Sequence, residues 1–160
     1  MRAIDIQVEI PMIDRQRSVA EASRMLADRG KIGIVVAGQG GAPIGMITAF
    51  DVFRLALPDY LLDDSSLAAT LDEQAIEELV APLRDKTVAE VISDKAVQLR
   101  PVPEVDANAT VLEIAAVLVA AGSMIAVIAG TAGTGARFVT LPIVLETVLN
   151  VAGTAEDERG

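Results

Sequence analysis

Gly45-Met46-Ile47-Thr48-Ala49-Phe50-Asp51 returns 92 positions later as Arg137-Phe138-Val139-Thr140-Leu141-Pro142-Ile143. These stretches close the two copies of a tandem repeat, in which residues 11–57 lie over residues 103–149 without a gap and share 13 identities. A fixed internal offset means one supersecondary unit used twice. At one position the copies part company in chemistry: Asp51 in the first copy is Ile143 in the second.

Working outward, each copy reads as strand, helix, strand, strand, helix. Ser18-Val19-Ala20-Glu21 and Thr110-Val111-Leu112-Glu113 are capping boxes at equivalent places, where a hydroxyl accepts from an orphan helix N–H and the glutamate reaches back to the cap. In the first copy Val19, Ala22, Met25 and Leu26 make one face of a 3.6-residue period, which predicts a helix to about Arg29, stopped by Gly30; Gly122 plays that part in the second. Ile34-Val35-Val36 and Ala126-Val127-Ile128 follow as short β-branched runs, then glycine-rich turns and second strands ending at Thr48 and Thr140. The last helices cover Ala49 to Leu57 and Leu141 to about Val151, with Pro142 in a first turn where its missing N–H goes unneeded.

This reading divides the chain into a first unit at 1–58, an acidic helical linker at 59–86, a second unit at 87–151 and a disordered tail at 152–160. Residues 58–83 hold seven carboxylates and no lysine or arginine, which reads as a solvated linker with a helix around Asp72 to Val80; a divalent-metal site is the lesser alternative. A third capping box, Thr87-Val88-Ala89-Glu90, opens a short helix into the second copy. The fold class is thus mixed α/β (α+β), two tandem β-α-β-β-α units.

Composition excludes much. With 23 acidic against 13 basic residues among 160, the net charge of −10 repels phosphate backbones and anionic headgroups, which argues against nucleic-acid and membrane partners. No cysteine and no histidine are present, so thiolate chemistry is closed and the commonest general base and metal ligand are absent. No enzyme and no metal centre is expected. Val111 to Ala129 is long and apolar enough to raise a transmembrane reading, but its counterpart Val19 to Ala37 carries five charges, so a doubly buried helix is the expectation. Residues 1–10 lack the apolar stretch of a signal peptide, and a cytoplasmic protein is read.

Gly38-Gln39-Gly40-Gly41 and Gly130 to Gly135 lack the lysine and hydroxyl of a phosphate loop and are read as hairpin turns. Thr48-x-x-Asp51 is sharper. A threonine N-cap with a carboxylate at the third helical position is a common way to start a helix, yet it also presents a hydroxyl and a carboxylate beside free amides. Such a turn suits a ligand with vicinal hydroxyls and a phosphate.

The arrangement Gly45-Met46-Ile47-Thr48-x-x-Asp51, preceded by Val35-Val36 and by the helix from Ser18, and the β-α-β-β-α order occurring twice, resembles the CBS domain and its doubled form, the CBS pair or Bateman module. The resemblance implies two units packed as a pseudo-twofold pair, with clefts that often bind AMP, ADP, ATP or S-adenosylmethionine. It implies that Asp51 accepts both ribose hydroxyls, that Thr48 contacts ribose or phosphate, that the backbone near Ile13 and Gly33-Ile34 walls the adenine, and that Lys31 stands where some members place a phosphate ligand. No required cofactor follows from it; an adenine nucleotide or S-adenosylmethionine is a regulatory ligand. Three departures stand out: Ile143 for the ribose aspartate, Arg137 for the glycine before the strand end, and Ile34 where many members have proline. Isoleucine accepts no hydrogen bonds, and two unpaired hydroxyls cost about 1–3 kcal/mol each, so one adenosine site per chain is expected.

The leading expectation is therefore a stand-alone regulatory module signalling to an unidentified effector protein. The alternative is a ligand-free dimerisation or scaffold module in which Thr48 and Asp51 serve only as a cap. Under either, homodimers are expected through Ala49 to Leu57 and Leu141 to Leu149.

Overall fold

The computed structural model describes residues 1–28, 32–131 and 135–159. In the first copy the order is β1 (Met12–Asp14), α1 (Val19–Ala27), β2 (Ile34–Ala37), β3 (Pro43–Ile47) and α2 (Ala49–Ala56). The linker forms α3 (Asp59–Asp63), a 3-10 helix at Ser65–Thr70 and α4 (Glu73–Asp85), followed by α5 (Val88–Ser93). The second copy repeats the pattern with β4 (Glu104–Val105), α6 (Val111–Ala121), β5 (Ile125–Ile128), β6 (Phe138–Thr140) and α7 (Leu141–Asp157). Each copy builds a three-stranded sheet, in the orders β1-β2-β3 and β4-β5-β6. The outer β1 and β4 run parallel to β2 and β5 with Ile13 opposite Val36 and Val105 opposite Ile128, while β5 and β6 are antiparallel.

Thr87 and Thr110 cap as full boxes, whereas the Ser18 box is half made, its glutamate turning to Arg17 instead. Ser18 accepts from the Glu21 N–H at 3.1 Å, and Thr110 and Glu113 satisfy each other's backbone at 3.2 and 2.6 Å. Glu21 meets Arg17 at 3.7 Å. Gly122 takes the left-handed conformation that ends α6, its φ of 63° costing a residue without a β-carbon nothing. The corresponding stop at Gly30 lies outside the described residues, as do residues 132–134 of the second glycine-rich turn.

By contacts the chain divides into two compact units, and the division does not follow the repeat boundaries. The first-copy unit holds Pro11–Gly38 and Gly45–Leu99. Its core joins Ile13, Val19, Ala22, Leu26, Ile34, Val36 and Ile47 to Leu83, Val88, Val91 and Val97. So residues 59–86 are not a free linker: α4 drives Leu83 into this core, and the helix runs past the expected stop near Val80 and through Pro82. Residues 87–99, read above as the start of the second copy, also belong here.

The second-copy unit holds Met1–Ile10, Gln39–Ile44 and Arg100–Gly160. Residues 1–10 were expected with the first copy. Instead Ala3 and Ile6 are buried with Val105, Ile114, Leu118, Ala126, Ile128, Val139 and Val144, and the arm's backbone is bonded here: Ala3 N–H to the Ala109 carbonyl at 3.0 Å, Val8 N–H to that of Phe138 at 2.7 Å. The arm thereby covers the open edge of β6 at Phe138 and the stretch after β4 at Ala107 and Ala109. The tail also differs from expectation, since α7 continues to Asp157. Nor is α6 buried on both sides: Ile114 and Leu118 are fully buried, but Leu112 and Val119 are open. Among the described residues no helix is long and apolar enough to cross a membrane.

Candidate functional site

The turn from β3 into α2 carries the candidate side chains. Thr48 is extended at φ −117°, ψ 167°, which ends the strand and frees the next residues to begin the helix. Asp51, at the third helical position, turns back: its Oδ2 accepts the Thr48 N–H at 2.8 Å and the Thr48 hydroxyl at 3.0 Å. The Thr48 hydroxyl thus donates to the Asp51 carboxylate in addition to its place in the capping box with the Asp51 backbone. The pair fixes a half-exposed carboxylate at the positive end of a helix, where the dipole favours it.

Gly33 and Ile34 lie beside this turn. A β-carbon on Gly33 would come within 2.5 Å of the Met46 sulfur and 3.1 Å of the Ile47 carbonyl oxygen, one residue from Thr48. Only glycine lets the chain ahead of β2 run so close to the end of β3. Ile34 is 1% exposed and Ile13 4%, both side chains being spent on the core. Thr48, Asp51, Gly33 and Ile34 are thus brought to one end of the sheet; Ile13 sits on the neighbouring strand against Val36. Lys31 lies outside the described residues.

The second copy is built differently at the equivalent place. Ile143 is half-buried against its unit's core with Leu141, and Thr140 is buried with no side-chain cap bond. Arg137 is held by the arm: Nε donates to Gln7 at 3.2 Å and NH1 meets Glu9 at 2.6 Å. The arginine's guanidinium is thereby engaged with the arm, a role sequence gave no sign of. Sequence also missed a cavity of about 420 Å³ in the first-copy unit, lined by Ile92, Lys95, Val97, Gln98 and Leu99. No residue there belongs to a recognisable motif.

Among the described residues no three carboxylates converge in a metal-holding group. Two small three-stranded sheets of like order are thus present, one of them leading into a strand-to-helix turn with a capped carboxylate. Residues 3–57 match the family model of the CBS domain. A CBS domain-containing protein of unknown function from Kribbella flavida is similar over 93% of this chain and 99% of its own, at 28% identity and a TM-score of 0.76. CBSX2 of Arabidopsis thaliana, in complex with AMP, is 14% identical over 94% of this chain and 98% of its own, with a TM-score of 0.61. The CBS domain of a bacterial CNNM/CorC family Mg2+ transporter, in complex with ATP, is 16% identical over 93% and 87%, with a TM-score of 0.60. No curated protein matches. Residues 3–57 thus carry a match to the CBS domain, and the chain as a whole has the fold of CBS-pair proteins.

Proposed function

We propose that this chain is a cytoplasmic, stand-alone regulatory module that binds an adenosine-containing ligand, AMP, ADP, ATP or S-adenosylmethionine, at the β3–α2 turn and passes occupancy to a partner protein. The observation carrying this reading is the Asp51 carboxylate, half-buried and fixed by Thr48 at the start of α2, with Gly33 close against Met46 and Ile47 just ahead of that turn. A carboxylate accepts from two vicinal hydroxyls at once, and the adjacent helix start favours phosphate. That CBSX2 is found with AMP and the transporter domain with ATP supports the ligand class. Asp51 and Thr48 bind; Gly33, Ile34 and Ile13 wall the base through their backbones; Lys31 contacts phosphate. No reaction is proposed, and the ligand is a signal rather than a cofactor. Ile143 in the second copy limits binding to one ligand per chain.

Homodimerisation belongs to the same proposal. Phe50 and Phe53 on α2, and Leu145, Leu149 and Val151 on α7, are all more than half exposed, which is costly for large apolar side chains left in water.

Titration calorimetry and thermal shift against the four ligands and cyclic dinucleotides test the site. Wild-type protein is expected to gain about 2.7 kcal/mol at a hundredfold excess over Kd, with one ligand bound per chain. Asp51→Ala is expected to lose about 0.5–1 kcal/mol of ligand-free stability and the entire ligand-dependent shift. A shift that survives this substitution, or none in wild type, overturns the reading. One observation favours the scaffold alternative: Asp51 already receives two hydrogen bonds from Thr48, so capping alone accounts for them. In that case only the loss of ligand-free stability appears.

A further inference from the structure

The linker helices expose apolar surface that their own unit leaves uncovered. Every residue from 62 to 74 is exposed, including Leu62, Leu67 and Leu71. Leu61 anchors one end, at 5% exposure, and Leu83 on α4 the other, at 4%. Between them α3 packs on the 3-10 helix Ser65–Thr70, while α4 gives its inner face to the core and leaves Ile76 58% exposed. A 3-10 helix of six residues is long for its kind, and one with no buried side chain gains nothing from packing. Such a surface is stable in company rather than alone.

Charge identifies the company. Residues 58–83 carry seven carboxylates and no lysine or arginine, so a second copy would bring the same sign against this face. Nucleic acid and anionic lipid are repelled for the same reason. We propose that the arm from α3 to the start of α4 is a docking surface for a basic amphipathic helix of another protein, whose apolar stripe covers Leu62, Leu67, Leu71 and Ile76 while its lysines or arginines meet the flanking carboxylates. The apolar contacts supply the affinity and the carboxylates set orientation and on-rate. This goes beyond the ligand reading, naming where an output partner binds, and depends on no nucleotide.

The probe is a labelled synthetic amphipathic helix of about 18 residues with a leucine stripe and lysine flanks, titrated with the full chain by fluorescence anisotropy. Wild-type protein is expected to bind it, more weakly as salt rises, and not to bind the same peptide with glutamate in place of lysine. Leu67→Ser with Leu71→Ser, both exposed and so compatible with folding, and separately Asp63→Lys with Glu77→Lys, are each expected to weaken binding about tenfold. Glu156→Lys with Glu158→Lys, an equal charge change on the exposed end of the chain, is expected to leave it within about twofold. Absence of binding to wild type, equal loss in that charge-matched control, or undiminished binding to the serine variant overturns the proposal. So does a wild-type self-dimer, seen by sedimentation, that the serine variant abolishes. Failure in any of these leaves the Asp51 reading standing, because no nucleotide is present.

Discussion

Gly45 and Arg137 occupy equivalent positions and meet opposite surroundings. A β-carbon on Gly45 would fall 2.6 Å from the Leu99 β-carbon and 3.0 Å from its Cδ1, whereas Arg137 extends to Gln7 and Glu9. Gly45→Ala is expected to cost about 1–3 kcal/mol by overpacking. In a Leu99→Gly background, which removes the β-carbon itself, most of that cost disappears, a coupling that urea unfolding of the four proteins in a double-mutant cycle reads directly. Lys95 offers the opposite case: it holds φ at 57° just beyond α5, where the Val97 N–H folds back on the Val91 carbonyl. A residue with a β-carbon is strained there, so Lys95→Gly is expected to stabilise by about 0.5–1 kcal/mol, seen as a higher urea midpoint with an unchanged slope. At this scale the caps at Ser18, Thr87 and Thr110 were legible because each satisfies backbone within three residues of itself. Leu99 against Gly45 was not, since nothing local links residues so far apart in the chain.

Among elements, the capping boxes and the repeat offset placed α6, while the 3.6-residue period placed α1 and β-branched runs placed β2 and β5. The last two patterns reflect which side chains leave water, which is why they survive without a structure. Where elements end proved harder. α7 reaches Asp157 although residues 151–159 are all exposed; extending a helix already nucleated by buried Val144 and Thr147 needs no further packing. Charge and polarity at the tail therefore looked like disorder. The apolar outer faces of α2 and α7 are the surfaces expected to join chains. Leu145→Glu with Leu149→Glu is expected to shift sedimentation from dimer to monomer while leaving the thermal midpoint of the monomer within a few degrees, as both side chains are already solvent-exposed. A monomeric wild type at micromolar concentration would remove α7 as an interface.

At the scale of the molecule, the repeat was visible in the residues but its partition in space was not. Sequence similarity marks descent, while contacts follow which edges need covering, so residues 1–10 went to the unit their neighbours in sequence do not belong to. Removing residues 1–9 is expected to uncover Val105, Ile114 and Phe138 and to lower protection from hydrogen exchange along β5 and β6, with α1 and β2 less affected. The milder Ile6→Ala, leaving the backbone in place, is expected to cost about 2 kcal/mol in chemical denaturation. Equal loss of protection in both units would contradict the partition. The arm also sets an order of events in biosynthesis. Gln7 and Arg137 are separated by 130 positions, so at ordinary elongation rates the arm leaves the ribosome roughly ten seconds before its docking surface exists. For that interval Ala3 and Ile6 have no core to enter, and the second unit closes only after Phe138 and Val139 have been made.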